Sequence, residues 1–240
     1  MTASRSYPYV VNSISGYLGN GIDAALRKAI EKENELNAAL RELGEMRKSK
    51  NPPFNGTAFH SLMMAAQLAP AENVMEMIKE FRADAESTPA ANGHRARFVV
   101  AGGSLDDPGF TRIIESQGGL VVADRYCTGS FPGLEPIDTG TDPIIALAKQ
   151  VLNGCRCPRM MDEFTTRKEY LVNIAKEYSA DGVIIQSIKF CDTWGVESSA
   201  MVTALREAGV PVLRLEREYR QSGEGQLRTR VQAFIESMGK

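Results

Sequence analysis

Val183-Ile184-Ile185-Gln186-Ser187-Ile188-Lys189-Phe190-Cys191-Asp192 reads as a buried strand that runs out into a turn, with a helix following. A short apolar run bounded by polar residues, with helical patterns on either side, marks a strand covered on both faces, as in a parallel sheet. In open α/β sheets the crevice beyond the carboxyl ends of the strands is where ligands bind, so a thiol at Cys191 stands where chemistry or a metal is placed. The alternative for an isolated cysteine is a small core residue. Lys189 and Asp192 argue against it, because they mark the apolar run as finished.

Outward from this stretch the same rhythm recurs. Phe98-Val99-Val100-Ala101 ends in Gly102-Gly103, Leu120-Val121-Val122-Ala123 is a second strand, Val183 to Ile188 a third and Val210 to Leu215 a fourth. Helical patterns lie between them at 108–117, 143–152, 167–178 and 196–208, and a last one closes the chain at 226–238. Strands alternating with helices predict an α/β fold, a four-stranded parallel sheet with helices on both faces, the half-size, flavodoxin-like version of a doubly wound domain.

The chain divides near residue 92. Before it the pattern is helical: apolar residues recur at threes and fours from Ile22 through Leu36, Leu40 and Leu43 to Met46, stopped by Asn51-Pro52-Pro53, with further helices over 57–68 and 70–85. Ser87 to Gly93 is a linker by composition. The expected organisation is a helical segment over 1–92 and an α/β domain over 93–240.

Composition excludes several classes. In 240 residues, 43% are apolar and 24% charged, and 28 Lys and Arg against 30 Asp and Glu leave a formal charge of −2, which calls for neither nucleic acid nor a membrane surface. No apolar stretch reaches the roughly 18 residues that span a bilayer, and Met1 to Val11 lack the basic start and apolar core of a signal peptide. A cytoplasmic protein is expected, with its four cysteines as thiols, metal ligands or core residues rather than a disulfide framework.

The familiar nucleotide and hydrolase signatures are missing. Gly102-Gly103-Ser104 is followed by Leu105-Asp106-Asp107-Pro108 instead of the remaining glycine of a dinucleotide fingerprint, and the two acidic residues suit helix capping better than a phosphate. His60 and His94 fall in the helical segment and the linker, and neither Ser130 nor Ser187 sits in a nucleophile elbow. Cys155-Arg156-Cys157-Pro158 has one residue between its thiols where zinc and redox pairs have two, so a structural loop is expected. Cys127 follows the second strand directly. With the usual strand order of two, one, three, four it falls at the sheet edge and Cys191 near the middle, which makes Cys191 the first candidate for a metal ligand and Cys127 the second.

Taken together, Asn51-Pro52-Pro53 with Gly56, Ala123-Asp124-Arg125-Tyr126-Cys127-Thr128-Gly129, Cys157-Pro158-Arg159-Met160, Asp181-Gly182-Val183-Ile184, Lys189-Phe190-Cys191-Asp192, Gly209-Val210-Pro211-Val212-Leu213 and Gly225-Gln226-Leu227-Arg228-Thr229-Arg230 resemble the subunits of 2-hydroxyacyl-CoA dehydratases and class I benzoyl-CoA reductases. They occur in that family's order from about residue 25 onward. The resemblance implies two similar α/β domains gripping one [4Fe-4S] cluster, an acyl-CoA substrate, a homologous partner subunit and an ATP-hydrolysing iron-sulfur activator that delivers low-potential electrons. It implies further that this chain corresponds to the C-terminal part of such a subunit and that Cys191 is its one cluster ligand, so that the chain alone is inactive and does not retain the cluster, and is either a fragment or half of a pair of polypeptides.

The reaction implied is an electron transfer. One electron added to an acyl-CoA thioester gives a ketyl radical anion, and one added to an aromatic thioester breaks aromaticity; both need a thiolate-ligated cluster of very low potential. Trp194, read as an indole lining an aromatic pocket, leans the expectation to an ATP-dependent benzoyl-CoA reductase; read as a core residue at the helix start it does not. The alternatives are a 2-hydroxyacyl-CoA dehydratase subunit, which eliminates water by a radical route, and a non-catalytic assembly module without a cluster. The first turn of the last helix, with free N–H groups, suits an anion as well as it suits plain capping beside a solvated arginine face; the resemblance implies the former, with Gln226 and Arg228 as cofactor-side donors and one or the other pointing into the crevice of Cys191.

Overall fold

The computed structural model describes residues 23–87, 92–130, 134–154, 157–219 and 223–240. Ile22, most of the linker (88–91), Cys155 and residues 220–222 of the loop after the last strand lie outside them. Among the described residues, eight α-helices and four strands follow in the order α1 (Asp23–Met46), α2 (Gly56–Leu68), α3 (Ala71–Ser87), β1 (Ala96–Gly102), α4 (Pro108–Glu115), β2 (Gly119–Arg125), α5 (Pro143–Gly154), α6 (Phe164–Glu177), β3 (Gly182–Ile188), α7 (Asp192–Glu207), β4 (Val212–Arg217) and α8 (Glu224–Ser237), with a 3-10 turn at Met161–Glu163.

The sheet is parallel throughout with order β2-β1-β3-β4. Its strands are apolar on both faces because both faces are covered. Phe98, Val100, Val121, Ile184 and Leu215 pack against Phe110, Ile113 and Ile114 of α4 and Leu227, Val231 and Ile235 of α8. The alternating set, Val99, Ala101, Val122, Val183, Ile185 and Val212, packs against Leu171, Ile174 and Ala175 of α6 and Met201 and Leu205 of α7. The Val, Leu, Ile, Phe and Met side chains among them each contribute about 1.5–3 kcal/mol on burial. Since β1 leads outward to β2 and β3 begins the other half, the carboxyl ends of β1 and β3 flank the point where the strand order reverses.

Helices α1 to α3 form their own apolar cluster around Leu40, Leu43, Phe59 and Ile78, and side chains of both regions join it to the sheet. Gly56, the first residue of α2, lies so close to β2 that a Cβ there would stand 2.4 Å from the Val121 carbonyl oxygen. The Glu115 carboxylate ends α4 and accepts from Gly56 N (2.7 Å), Thr57 N (3.0 Å), Thr57 Oγ1 (2.5 Å) and Val121 N (3.2 Å). Burial raises its pKa while those four bonds oppose the rise. The Arg97 guanidinium, rising from β1, donates to the carbonyls of Arg47 (2.9 Å), Ser49 (2.8 Å) and Lys50 (3.1 Å), filling acceptors just past the end of α1.

His60 is the histidine whose surroundings the sequence concealed. Its ring is buried against Tyr126, with Nε2 2.9 Å from the Leu105 carbonyl and Nδ1 2.9 Å from Thr111 Oγ1. A carbonyl only accepts, so Nε2 carries the proton and Nδ1 accepts from the threonine hydroxyl. Burial lowers its pKa below 6.5, opposed by the Leu105 bond and the charges of Asp124 and Asp107. As pH falls the unfolded chain takes up this proton first, so the stability it contributes is present above about pH 6.5 and is lost as the pH falls through the folded-state value. Urea unfolding of His60→Gln is expected to show a shallower loss of stability between about pH 7 and pH 5 than the unaltered chain; parallel curves would contradict this assignment.

Candidate functional site

Three loops meet at the carboxyl edge beside the reversal point. The first follows β1, where Gly102 adopts φ +141° and a Cβ would meet the Gln186 carbonyl oxygen at 1.9 Å. The second follows β2 and carries Tyr126 to Ser130. The third, Ile188 to Cys191, follows β3, and its Cys191 N–H closes a turn onto the Ile188 carbonyl at 3.1 Å. Phe190, at φ +64°, occupies the left-handed region that non-glycine residues seldom take, and its side chain is 98% exposed.

Cys191 is the N-cap of α7, half-buried, and its side chain makes no capping bond to the helix. It lines a shallow cavity of about 250 Å³ with Ser187, Phe190, Asp192, Val196 and Glu216. The thiol thus stands at the first turn of α7 beside an open recess. Cys127 is exposed beside an apolar recess lined by Leu36, Leu40, Met63 and Leu134. Loss of solvation raises the Cys127 thiol pKa, and the Cys157 thiol, near enough to act electrostatically, adds to the rise. Neither effect favours the thiolate that binds metals.

The other motif residues hold the loops in place. Asp124, at 2% exposure, pairs with Arg47 of the turn after α1 (3.1 Å, Arg47 3% exposed) and accepts from Ser130 N at 2.6 Å. Thr128 Oγ1 donates to the Leu105 carbonyl at 2.6 Å. The Arg125 guanidinium is buried 5.6 Å from the centroid of the Trp194 ring, and burial brings its pKa down to about 10. Cys157-Pro158-Arg159-Met160 is fixed by Arg167, whose guanidinium donates to the Cys157 (3.1 Å) and Met160 (2.6 Å) carbonyls while pairing in two bonds (2.6 and 2.8 Å) with Glu197 of α7. Asp107 caps α4 by accepting from Gly109 N at 2.7 Å, as its place before Pro108 suggests.

Gln226 is exposed and Arg228 half-buried. The Arg228 guanidinium donates to Ser116 Oγ at 2.6 Å, at the far end of α4, so neither residue lines the cavity at Cys191. Trp194 is 4% exposed, with its Cδ1 where a Cβ on Gly103 would come within 3.1 Å, so its indole is a packed residue rather than an open wall. The residues that sequence reasoning passed over are the buried polar ones: Arg167, Glu197, Arg217 and Gln186. Only Gln186 left a trace, as an amide inside an apolar run.

Among the described residues no three His, Cys, Asp or Glu side chains converge on a point where a metal ion would sit. The three cysteines among the described residues, Cys127, Cys157 and Cys191, are free thiols and belong to no such group. No helix of the described residues is long and apolar enough to cross a membrane.

The sequence model of one protein family, described as 2-hydroxyglutaryl-CoA dehydratase, D-component, matches residues 10–238. The chain is 26% identical over 234 residues to the (R)-phenyllactyl-CoA dehydratase beta subunit of Clostridium sporogenes, covering 97% of this chain and 62% of that protein. It is 36% identical over 129 residues to the putative dehydratase subunit YjiM of Escherichia coli, covering 53% and 33%, and 23% identical over 220 residues to a benzoyl-CoA reductase subunit of Thauera aromatica, covering 90% and 57%. The chain thus spans less than two thirds of the length of each of these relatives.

Proposed function

The chain belongs to the 2-hydroxyglutaryl-CoA dehydratase D-component family, and from that premise we propose that it is one part of an iron-sulfur acyl-CoA enzyme, to which it contributes Cys191 as a cluster ligand. The observation that carries this reading is the thiol of Cys191: half-buried, uncommitted to its helix, and at the carboxyl edge of an inner strand. When bound, a thiolate-ligated [4Fe-4S] cluster supplies an electron at low potential. The remaining thiolates come from a homologous partner polypeptide, and the exposed side chains of Phe190 and Val196 beside Cys191 are suited to excluding water once that partner covers them. Gln226 and Arg228 are donors toward the anionic parts of cofactor or acyl-CoA in the assembled enzyme, with Arg228 exchanging its present bond to Ser116. The boundary between the helical segment (1–92) and the α/β domain (93–240) belongs to the same proposal.

Of the two reactions, dehydration of a 2-hydroxyacyl-CoA is the reading adopted. A benzoyl-CoA reductase would use Trp194 as the wall of an aromatic pocket, and a 4% exposed indole packed on Gly103 offers no such wall. The names of the phenyllactyl-CoA and lactoyl-CoA dehydratase subunits, 26% and 25% identical to the chain, support dehydration as well. Benzoyl-CoA reduction remains the second reading, supported by the Thauera protein. The test is anaerobic assembly with the partner subunit and an ATP-driven activator, followed by separate assays of a 2-hydroxyacyl-CoA and of benzoyl-CoA. Turnover of the hydroxyacyl thioester is expected. Turnover of benzoyl-CoA alone would shift the assignment to the reductase, and a complex that takes up no iron would leave an assembly module.

A further inference from the structure

We propose that Gln186 and Arg217 are positioning residues for Cys191, acting through Gly103 and the indole of Trp194. Arg217 is the last residue of β4 and is 7% exposed. Its Nε donates to Gln186 Oε1 at 3.0 Å and its terminal nitrogens to the carbonyls of Ser104 (2.7 Å) and Glu218 (3.3 Å). Gln186, fully buried on β3, turns its own amide nitrogen onto the Gly103 carbonyl at 2.9 Å. One guanidinium and one amide thereby tie the carboxyl ends of β1, β3 and β4 together, and the main chain adds a bond from Lys189 N to the Arg217 carbonyl at 2.8 Å.

These bonds fix Gly103, and Gly103 is the seat of Trp194. The indole lies against the place a side chain would occupy there, 3.1 Å from an added Cβ, with the Arg125 guanidinium also close to the ring. Trp194 is three residues past Cys191 in the first turn of α7, the turn closed by Gly195 N donating to the Cys191 carbonyl at 2.7 Å. A rotation of that turn needs the indole to leave Gly103, so the loop that holds Gly103 also sets the direction of the Cys191 side chain.

The energetics favour a positioning role over simple stabilisation. The oxygens that Arg217 bonds are all neutral, and the charges of the nearby Asp106 and Asp107 carboxylates only partly offset the cost of burying its guanidinium, whereas apolar residues at the same places would hold a sheet end without that cost. What the polar pair adds is a single defined geometry. Its importance for a cluster rests on Cys191 being the ligand proposed above, but the geometry is testable on the metal-free chain.

Trp194 is the chain's single tryptophan, so the emission reports the surroundings of this one indole. Gln186→Glu keeps an acceptor for Arg217 and removes the donor to Gly103; Arg217→Lys keeps the charge and removes the fork; Gly103→Ala leaves both in place and pushes the indole directly. Each full-length variant is read by Trp194 emission and by the iodoacetamide rate at Cys191, resolved from the other cysteines by peptide mass spectrometry. All three are expected to shift the emission and change the Cys191 rate about tenfold, the factor that corresponds to a buried hydrogen bond of about 1.4 kcal/mol. If either variant of the polar pair fails to fold, Gly103→Ala carries the test. Unchanged emission and rate would overturn the proposal, as would an effect in Gln186→Glu and Arg217→Lys with none in Gly103→Ala. Failure of the ligand assignment would appear instead in iron content, with the thiol rates still shifted.

Discussion

Cys191→Ser is expected to abolish iron retention in the assembled enzyme while leaving this chain folded. Serine is nearly isosteric with cysteine, the side chain is half-buried, and it makes no capping bond that the change would break. Serine is also among the favoured N-cap residues, so the substitution is expected to leave the stability of α7 equal or raise it by about 0.5–1 kcal/mol. Loss of metal with retained or improved stability separates a ligand from a structural residue. Iron and sulfide per complex, measured beside thermal unfolding of the variant, give the two readouts. Cys157→Ser is expected to cost at most modest stability and no iron, since the contact Arg167 makes in that turn is to the Cys157 carbonyl rather than its thiol. Loss of iron in Cys127→Ser, with none in Cys191→Ser, would move the ligand to the loop after β2.

The second large effect is structural. Asp124→Ala is expected to destabilise the chain by about 3–5 kcal/mol, because it leaves the Arg47 guanidinium buried at 3% exposure without its carboxylate and removes the acceptor of Ser130 N. For a chain of this size that corresponds to a fall in thermal midpoint on the order of 10 °C. The exposed ion pair of Lys79 with Glu76, one turn apart on α3, is the control: its removal is expected to cost less than about 0.5 kcal/mol. Calorimetry on both variants decides it, and equal small shifts would show that Asp124 does not join the helical segment to the sheet.

Where the chemistry is local, sequence was a sufficient guide. Val183 to Ile185 is apolar on both faces because α4 and α8 cover one side and α6 and α7 the other, and the order β2-β1-β3-β4 follows from reversing direction after the first βαβ unit. The last strand is the exception. Val210 and Pro211 precede it and Arg217 ends it, since an edge strand accommodates polar residues that a central one would reject. Helix α8 likewise begins at Glu224, ahead of the first apolar residue that marks its pattern.

The polar contacts that tie the elements together were not legible, because they join residues far apart in the chain. Arg167 and Glu197 are 30 residues apart, Arg47 and Asp124 are 77 apart, and His60 reaches Leu105 over 45. Nothing in the periodicity of either member announces the other. The sequence placed His60 in the helical segment, which is correct, and gave no sign that α2 turns its ring into the α/β region, where Nε2 meets the β1–α4 loop at Leu105 and Nδ1 meets α4 at Thr111. Trp194 shows the limit from the other side: its place beside Cys191 was legible, but whether the indole faced a pocket or the core depended on Gly103, 91 positions earlier.

The most direct test of the central claim is a footprint on the unaltered protein. The chain, assembled anaerobically with its partner subunit and loaded with iron and sulfide, is alkylated with iodoacetamide, stripped of metal and alkylated again with a heavy-isotope form of the reagent, and each cysteine is scored by peptide mass spectrometry. The account predicts that, of Cys127, Cys157 and Cys191, only Cys191 requires iron for its protection and carries the heavy label. Light label on Cys191 in an iron-loaded complex, with Cys127 or Cys157 protected in its place, would contradict it.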